Sequence, residues 1–133
     1  MAGAMTYMQR RAPWRRSKFG NKKTKAVTGG KAYDSKGEAK YAAHLEALRL
    51  AGEISAWDRQ VRIDLKVNGY KVCAYVMDFA VHMPDGSVEL HEYKGYATDV
   101  WKLKWKLLEA TLADVTKRMW PGKEVRMVLV MHR

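Results

Sequence analysis

Apolar residues recur at helical spacing at Ala42, Leu45 and Leu48, which predicts a helix over residues 35–51 with one buried stripe. Ser35-Lys36-Gly37-Glu38 has the form of a capping box, and Gly52 suits the left-handed residue that ends a helix. The pattern then turns extended. Ile54–Val67 reads as a strand, and Asn68-Gly69 is a two-residue hairpin turn. Tyr70–Met83 reads as a second strand, rich in Val, Tyr and Phe. Pro84-Asp85-Gly86 suits a three-residue loop with Gly in the left-handed position, and Ser87–Lys94 makes a third strand. Gly95 breaks it. A long helix is predicted over 98–118, with Val100, Leu103, Leu107 and Ala110 facing a core and Trp101, Trp105, Leu108 and Leu112 widening that face. Pro121-Gly122 ends this helix, and Val125–Met131 is a last strand. Before all of these, residues 26–34 read as a short extended piece broken by Gly29-Gly30. The expected core order is α-β-β-β-α-β, an α/β fold in one domain over 32–133.

The two turns fix which residues face each other. If 84–86 form the loop, Met83 opposes Ser87, and opposed residue numbers sum to 170. Asp78 then lies across from Glu92, and opposed Cβ atoms on one sheet face are about 4.5–5.5 Å apart. Lys94 shares the face of Glu92 because side chains alternate along a strand. Like charges so placed destabilise a sheet unless something compensates. A divalent cation would do so: Mg²⁺ takes one or two carboxylates, with water and substrate phosphate completing its shell. It also acidifies bound water and stabilises charge on a phosphate. Lys94 beside it can orient or deprotonate that water, or neutralise developing charge. The same three residues also suit a plain sheet edge in which Lys94 pairs with one acid. Glu38 likewise has two readings. It completes the capping box, and it lies on the stripe of Ala42 and Leu45, aimed at the sheet.

Charge changes the picture at the N-terminus. The 133 residues carry 25 Lys and Arg against 14 Asp and Glu, a formal net charge of +11. Nine of those cations, and no acid, fall within residues 1–31: Arg10, Arg11, Arg15, Arg16, Lys18, Lys22, Lys23, Lys25 and Lys31. Such a block cannot bury enough apolar surface to order itself, which predicts a flexible basic arm. It suits phosphate contacts that release counterions, or a solvated tail. Lys102 and Lys106, one helical turn apart, could grip a phosphate backbone or simply face solvent. The lone Cys73 excludes an internal disulfide and a Cys-based zinc cluster, so a reducing intracellular setting is expected. No apolar run is long enough for a transmembrane helix, and no leader-like apolar stretch opens the chain. His44, His82, His91 and His132 lack metal-ligand spacing and read as structural.

The helix with its acid, the Asp on the second strand and Glu92-x-Lys94 on the third together resemble the PD-(D/E)XK nuclease superfamily. More narrowly, Ser17-Lys18-Phe19-Gly20-Asn21-Lys22-Lys23, Tyr33-Asp34-Ser35-Lys36-Gly37-Glu38-Ala39, Gly52-Glu53-Ile54 and Tyr93-Lys94-Gly95 resemble a family of small phage and prophage proteins assigned to it. The resemblance covers residues 17–131. It implies a restriction-endonuclease-like core, a mixed sheet flanked by helices, and Mg²⁺-dependent hydrolysis of DNA phosphodiesters, with Mn²⁺ able to substitute. Asp78, Glu92 and Glu38 would hold the metal, and Lys94 would position the attacking water. Met77 stands where the signature often has proline. Gln60 resembles a glutamine that some relatives carry on the first strand, yet the Asn68-Gly69 turn puts Arg59, not Gln60, opposite Asp78 unless a bulge intervenes.

The expectation is therefore a DNA endonuclease of phage or prophage origin in the bacterial cytoplasm. Its small size suits structure-selective cutting of branched DNA, such as Holliday junctions in phage recombination, and two symmetric cuts would favour a homodimer. The rivals are a nucleic-acid-binding protein without catalysis and a phage protein that acts on a host factor.

Overall fold

The computed structural model describes residues 24–25, 32–33 and 36–131. The chain forms two compact units, residues 1–42 and 43–133. In the first, β1 (Thr24–Lys25) pairs antiparallel with β2 (Ala32–Tyr33), Thr24 opposite Tyr33. Of the extended piece expected at 26–34, the described part is the short strand β2, and β1 lies before it, inside the stretch expected to be a flexible arm. The arm cations Arg10, Arg11, Arg15, Arg16, Lys18, Lys22 and Lys23 lie outside the described residues. Helix α1 (Lys36–Leu50) begins in the first unit and ends in the second.

The second unit is built on a four-stranded sheet in the order β3-β4-β5-β6. Its strands are β3 (Ala56–Val67), β4 (Tyr70–His82), β5 (Val88–Lys94) and β6 (Val125–Met131). The first three run antiparallel, and β6 runs parallel to β5, so the sheet is mixed. Helices α2 (Asp99–Ala110) and α3 (Leu112–Met119) make the crossover between β5 and β6. Leu108 and Val115 bury fully in one apolar cluster with Ile63, Leu65, Tyr75, Met77, Ala80, Val88 and Leu90. This is an α/β fold with a mixed sheet flanked by helices, and its element order from α1 onward matches the sequence pattern.

The turns work as their residues dictate. α1 closes with paired hydrogen bonds, Gly52 N–H to the Arg49 carbonyl (3.1 Å) and Glu53 N–H to the Leu48 carbonyl (2.9 Å), and Gly52 takes φ 79°. Asn68 (φ 52°) and Gly69 (φ 82°) both adopt the left-handed values that a tight hairpin turn needs. At the second hairpin, Met83 N–H bonds the Ser87 carbonyl at 2.9 Å. The Asp85 carboxylate ties the loop by accepting from Ser87 N–H (2.8 Å) and its hydroxyl (2.6 Å).

The expected helix over 98–118 is two helices. The Thr111 hydroxyl donates back to the Leu107 carbonyl at 2.8 Å, and the Thr111 backbone leaves helical values at φ −109°, ψ 13°. Such back-bonding bends helices, and here it divides one. The core-facing stripe also differs from expectation. Val100 (66% exposed) and Leu103 (70%) face solvent, as does Ala110. Of that stripe Leu107 does pack on the cluster, with Trp101, Trp105 and Leu112 from the residues expected to widen it. Two stripes were available on this helix, and the one carrying the larger aromatic area is buried.

Candidate active site

β4 and β5 are in the register expected from the loop, His82 opposite Val88 and Phe79 opposite His91. Their pairing ends there, one position before Asp78 and Glu92. Beyond it β4 pairs only with β3, and β5 only with β6. The sheet forks at this point, and Asp78 sits in the crotch. Its Oδ2 accepts the Tyr93 N–H at 2.8 Å, a bond that an unbroken ladder would give to a backbone carbonyl.

The β3–β4 hairpin shifts register by one position between Leu65 and Lys66. This is the bulge that the sequence alone left open. It leaves Gln60, not Arg59, across from Asp78, between the pairs Arg59–Phe79 and Val61–Met77. Gln60 is exposed and has φ 53° inside a strand, a conformation disfavoured for any side chain but glycine. The apolar cluster takes both Met77 and Ala80 of β4, which strict alternation would send to opposite faces. The strand therefore changes facing at Asp78, opposite the strained Gln60. That change brings Tyr75 onto the side of Glu92.

Glu92 is 3% exposed. Its Oε2 meets the Lys94 Nζ at 3.2 Å, and its buried Oε1 has no hydrogen-bond partner. Burial pushes the Glu92 carboxyl above the usual carboxylate range. The Lys94 ammonium opposes that shift, with smaller help from the Tyr75 hydroxyl and the Asp78 amide. The Tyr75 hydroxyl accepts from the Trp101 indole N–H at 2.7 Å. Burial first, then the Glu92 charge, pushes the Tyr75 phenol up, and the Asp78 charge adds to this. One protonated hydroxyl thus feels both carboxylates. Lys94 Nζ also stands 4.9 Å from the centre of the Trp101 ring, within cation–π reach. Thr98 starts α2 and sets Trp101 in place, its hydroxyl accepting the Trp101 N–H at 3.1 Å.

The structure thus gathers Asp78, Glu92 and Lys94 at the fork, with Gln60 in register across from Asp78. Glu38 is buried on the first turn of α1, in the first unit, and its expected capping partner Ser35 lies outside the described residues. Lys102 and Lys106 are exposed on α2, whereas the Lys104 ammonium donates to the Ala74 carbonyl at 3.1 Å. His91 pairs with Glu89 (2.9 Å) and His82 with Asp58 (2.8 Å), so neither turns towards Glu92. Tyr75 and Trp101 join the site without having been singled out as such. Alternation from Asp78 sends Tyr75 to the wrong face, and Trp101 reads as core by its helical spacing.

A hard cation fits this donor set in part. A desolvated carboxylate oxygen without a partner, with a second acid one position past the last β4–β5 pair, matches the one or two carboxylates that Mg²⁺ takes. Among the described residues no group of three His, Cys, Asp or Glu makes a fuller set. Also among them, no helix is long and apolar enough to cross a membrane. No curated protein matches the chain. A family profile described as "Protein of unknown function (DUF1064)" matches residues 16–127, and the chain belongs to that family.

Proposed function

We propose that this protein is a metal-dependent DNA endonuclease of the PD-(D/E)XK type, hydrolysing phosphodiester bonds at the fork of its sheet. One observation carries the reading: Glu92 Oε1 is buried without a partner, beside Lys94 and next in register to Asp78. An acid in that state is costly to keep unless it serves something, and perturbed groups of this kind cluster at functional sites. Bound Mg²⁺ or Mn²⁺ would supply Lewis-acid stabilisation of phosphate charge and a more acidic water. Glu92 and Asp78 would offer it oxygen donors; Glu38, to which the resemblance also gives a metal role, lies in the first unit. Lys94, with three donors on a point charge, would orient the attacking water or offset charge on the phosphate. Lys102, Lys106 and the basic residues Arg10 to Lys23 would grip the backbone, and Gln60 would flank Asp78. The substrate in this reading is branched phage DNA. It is cut by a homodimer in the bacterial cytoplasm, where phage- or prophage-encoded recombination takes place.

A second reading also has an observation behind it. Lys94 already neutralises Glu92, and Asp78 already holds the Tyr93 amide. Both acids would then be structural, in a protein that binds nucleic acid without cutting it or that acts on a host factor. Incubation with supercoiled plasmid and with a four-way junction, with Mg²⁺ or with EDTA, separates the two. Metal-dependent cleavage lost in both Asp78→Asn and Lys94→Met supports the nuclease. Tight binding with no cleavage of either substrate refutes it, and retention of a host protein without DNA affinity points to the interaction protein.

A further inference from the structure

Lys94 is held by two groups of opposite character. One is the Glu92 carboxylate at 3.2 Å, and the other is the face of the Trp101 ring at 4.9 Å from its centre. The indole cannot drift, because its N–H is bonded to the Tyr75 hydroxyl at 2.7 Å and its backbone N–H to Thr98. The Lys94 side chain is 22% exposed and reaches water, whereas the Glu92 side chain is 5% exposed. The ion-pair partner of the buried Glu92 carboxylate at rest is therefore this part-exposed ammonium. A divalent cation at Glu92 would upset that pairing unless the ammonium retreats.

We propose that Lys94 is the built-in counter-ion that a divalent metal must displace from Glu92, and that Trp101 is the positioning residue that keeps the displaced ammonium beside the site. This rests on the metal-site reading above and adds to it a competition between the two cations. The indole face offers the ammonium a berth that does not depend on the carboxylate. Without that berth, Lys94 has only Glu92 to turn to and competes harder with the metal.

The test is Mn²⁺ binding, followed by calorimetry and by the thermal shift that MnCl₂ produces in the full chain. Glu92→Gln marks the site by abolishing specific binding. Lys94→Met should bind Mn²⁺ roughly tenfold tighter or more, because a like charge close to the metal is removed. Lys94→Gln, which can still donate to Oε2, provides the same comparison should the Met variant fail to fold. Trp101→Leu should weaken Mn²⁺ binding while Lys94 is present and leave it unchanged in the Lys94→Met background. Trp101→Phe, which keeps a ring face, should restore it. A purely structural Trp101 would instead weaken binding equally in both backgrounds, and that result overturns the positioning role. Specific Mn²⁺ binding that is no tighter in either Lys94 variant overturns the competition and leaves the metal site standing. No Mn²⁺ binding in the wild type or in the Lys94 variants overturns both.

Discussion

Replacing Lys94 by methionine removes, among the described residues, the only cation within ion-pair distance of the Glu92 carboxylate while keeping much of the side-chain volume. At 3.2 Å and an effective dielectric constant of about 20, their gross attraction is about 5 kcal/mol. The net coupling is smaller, because Lys94 retains some contact with water and gives up hydration to pair; about 1–3 kcal/mol is expected. Lys94→Met alone should cost about 3 kcal/mol, since it strands a buried charge. For a chain of this size that is a fall in Tm of roughly 10 °C. Glu92→Gln should cost much less, because it removes the group whose ionisation burial opposes. The double variant should be more stable than the sum of the single effects predicts, by at least about 1 kcal/mol. The pH dependence has a definite sign. Glu92 has a folded pKa raised above its ordinary value of 4.5, so its contribution to stability is fully present below that value and is lost as pH rises through the folded pKa. The cost of Lys94→Met should follow the same window, small where Glu92 is protonated and full at neutral pH. Urea unfolding of the four proteins at pH 4 and pH 7.5, in EDTA, measures all of this. Additive single effects, or an equal Lys94→Met cost at both pH values, would refute the electrostatic account.

Gln60→Gly should stabilise the protein by about 0.5–1 kcal/mol, since glycine accepts φ 53° without strain, and calorimetry should show a higher Tm. Tyr75→Phe leaves the Trp101 indole N–H without its acceptor and should cost about 1–2 kcal/mol, with a shift in tryptophan emission as that ring loosens. Gly86→Ala forces φ 90° on a residue with a Cβ and should cost about 1 kcal/mol or more in urea midpoint, with the hairpin register retained. Removing residues 1–25 should lower DNA affinity and flatten its dependence on salt, because about eight cations leave with them; an unchanged slope would take the arm out of the interface.

The turn chemistry made much of the fold legible. Asn68-Gly69 and Pro84-Asp85-Gly86 set two hairpins, and the second sets the β4–β5 register as far as Phe79 and His91, one position short of Asp78 and Glu92. The remainder was hidden for physical reasons. The one-residue shift at Leu65/Lys66 has no glycine or proline to announce it, so Gln60 stayed one place out of register. The change of facing at Asp78 defeats alternation, the rule by which faces are read, and so Tyr75 was missed. On α2 two apolar stripes compete, and periodicity does not choose between them. Thr111, which divides α2 from α3, is an ordinary helical residue until its hydroxyl turns back on Leu107. The end of the β4–β5 pairing is a tertiary event with no local signature at all.

The bond from Tyr93 N–H to the Asp78 carboxylate makes one side chain serve as a rung between parting strands. Its length is therefore as constrained as its charge. Glutamate at this position keeps the acid but overshoots the amide, and alanine leaves the strands untied. Asparagine keeps the span and surrenders only the charge. Whatever chemistry the fork supports, the protein cannot relocate that acid along β4 without loosening its own masonry.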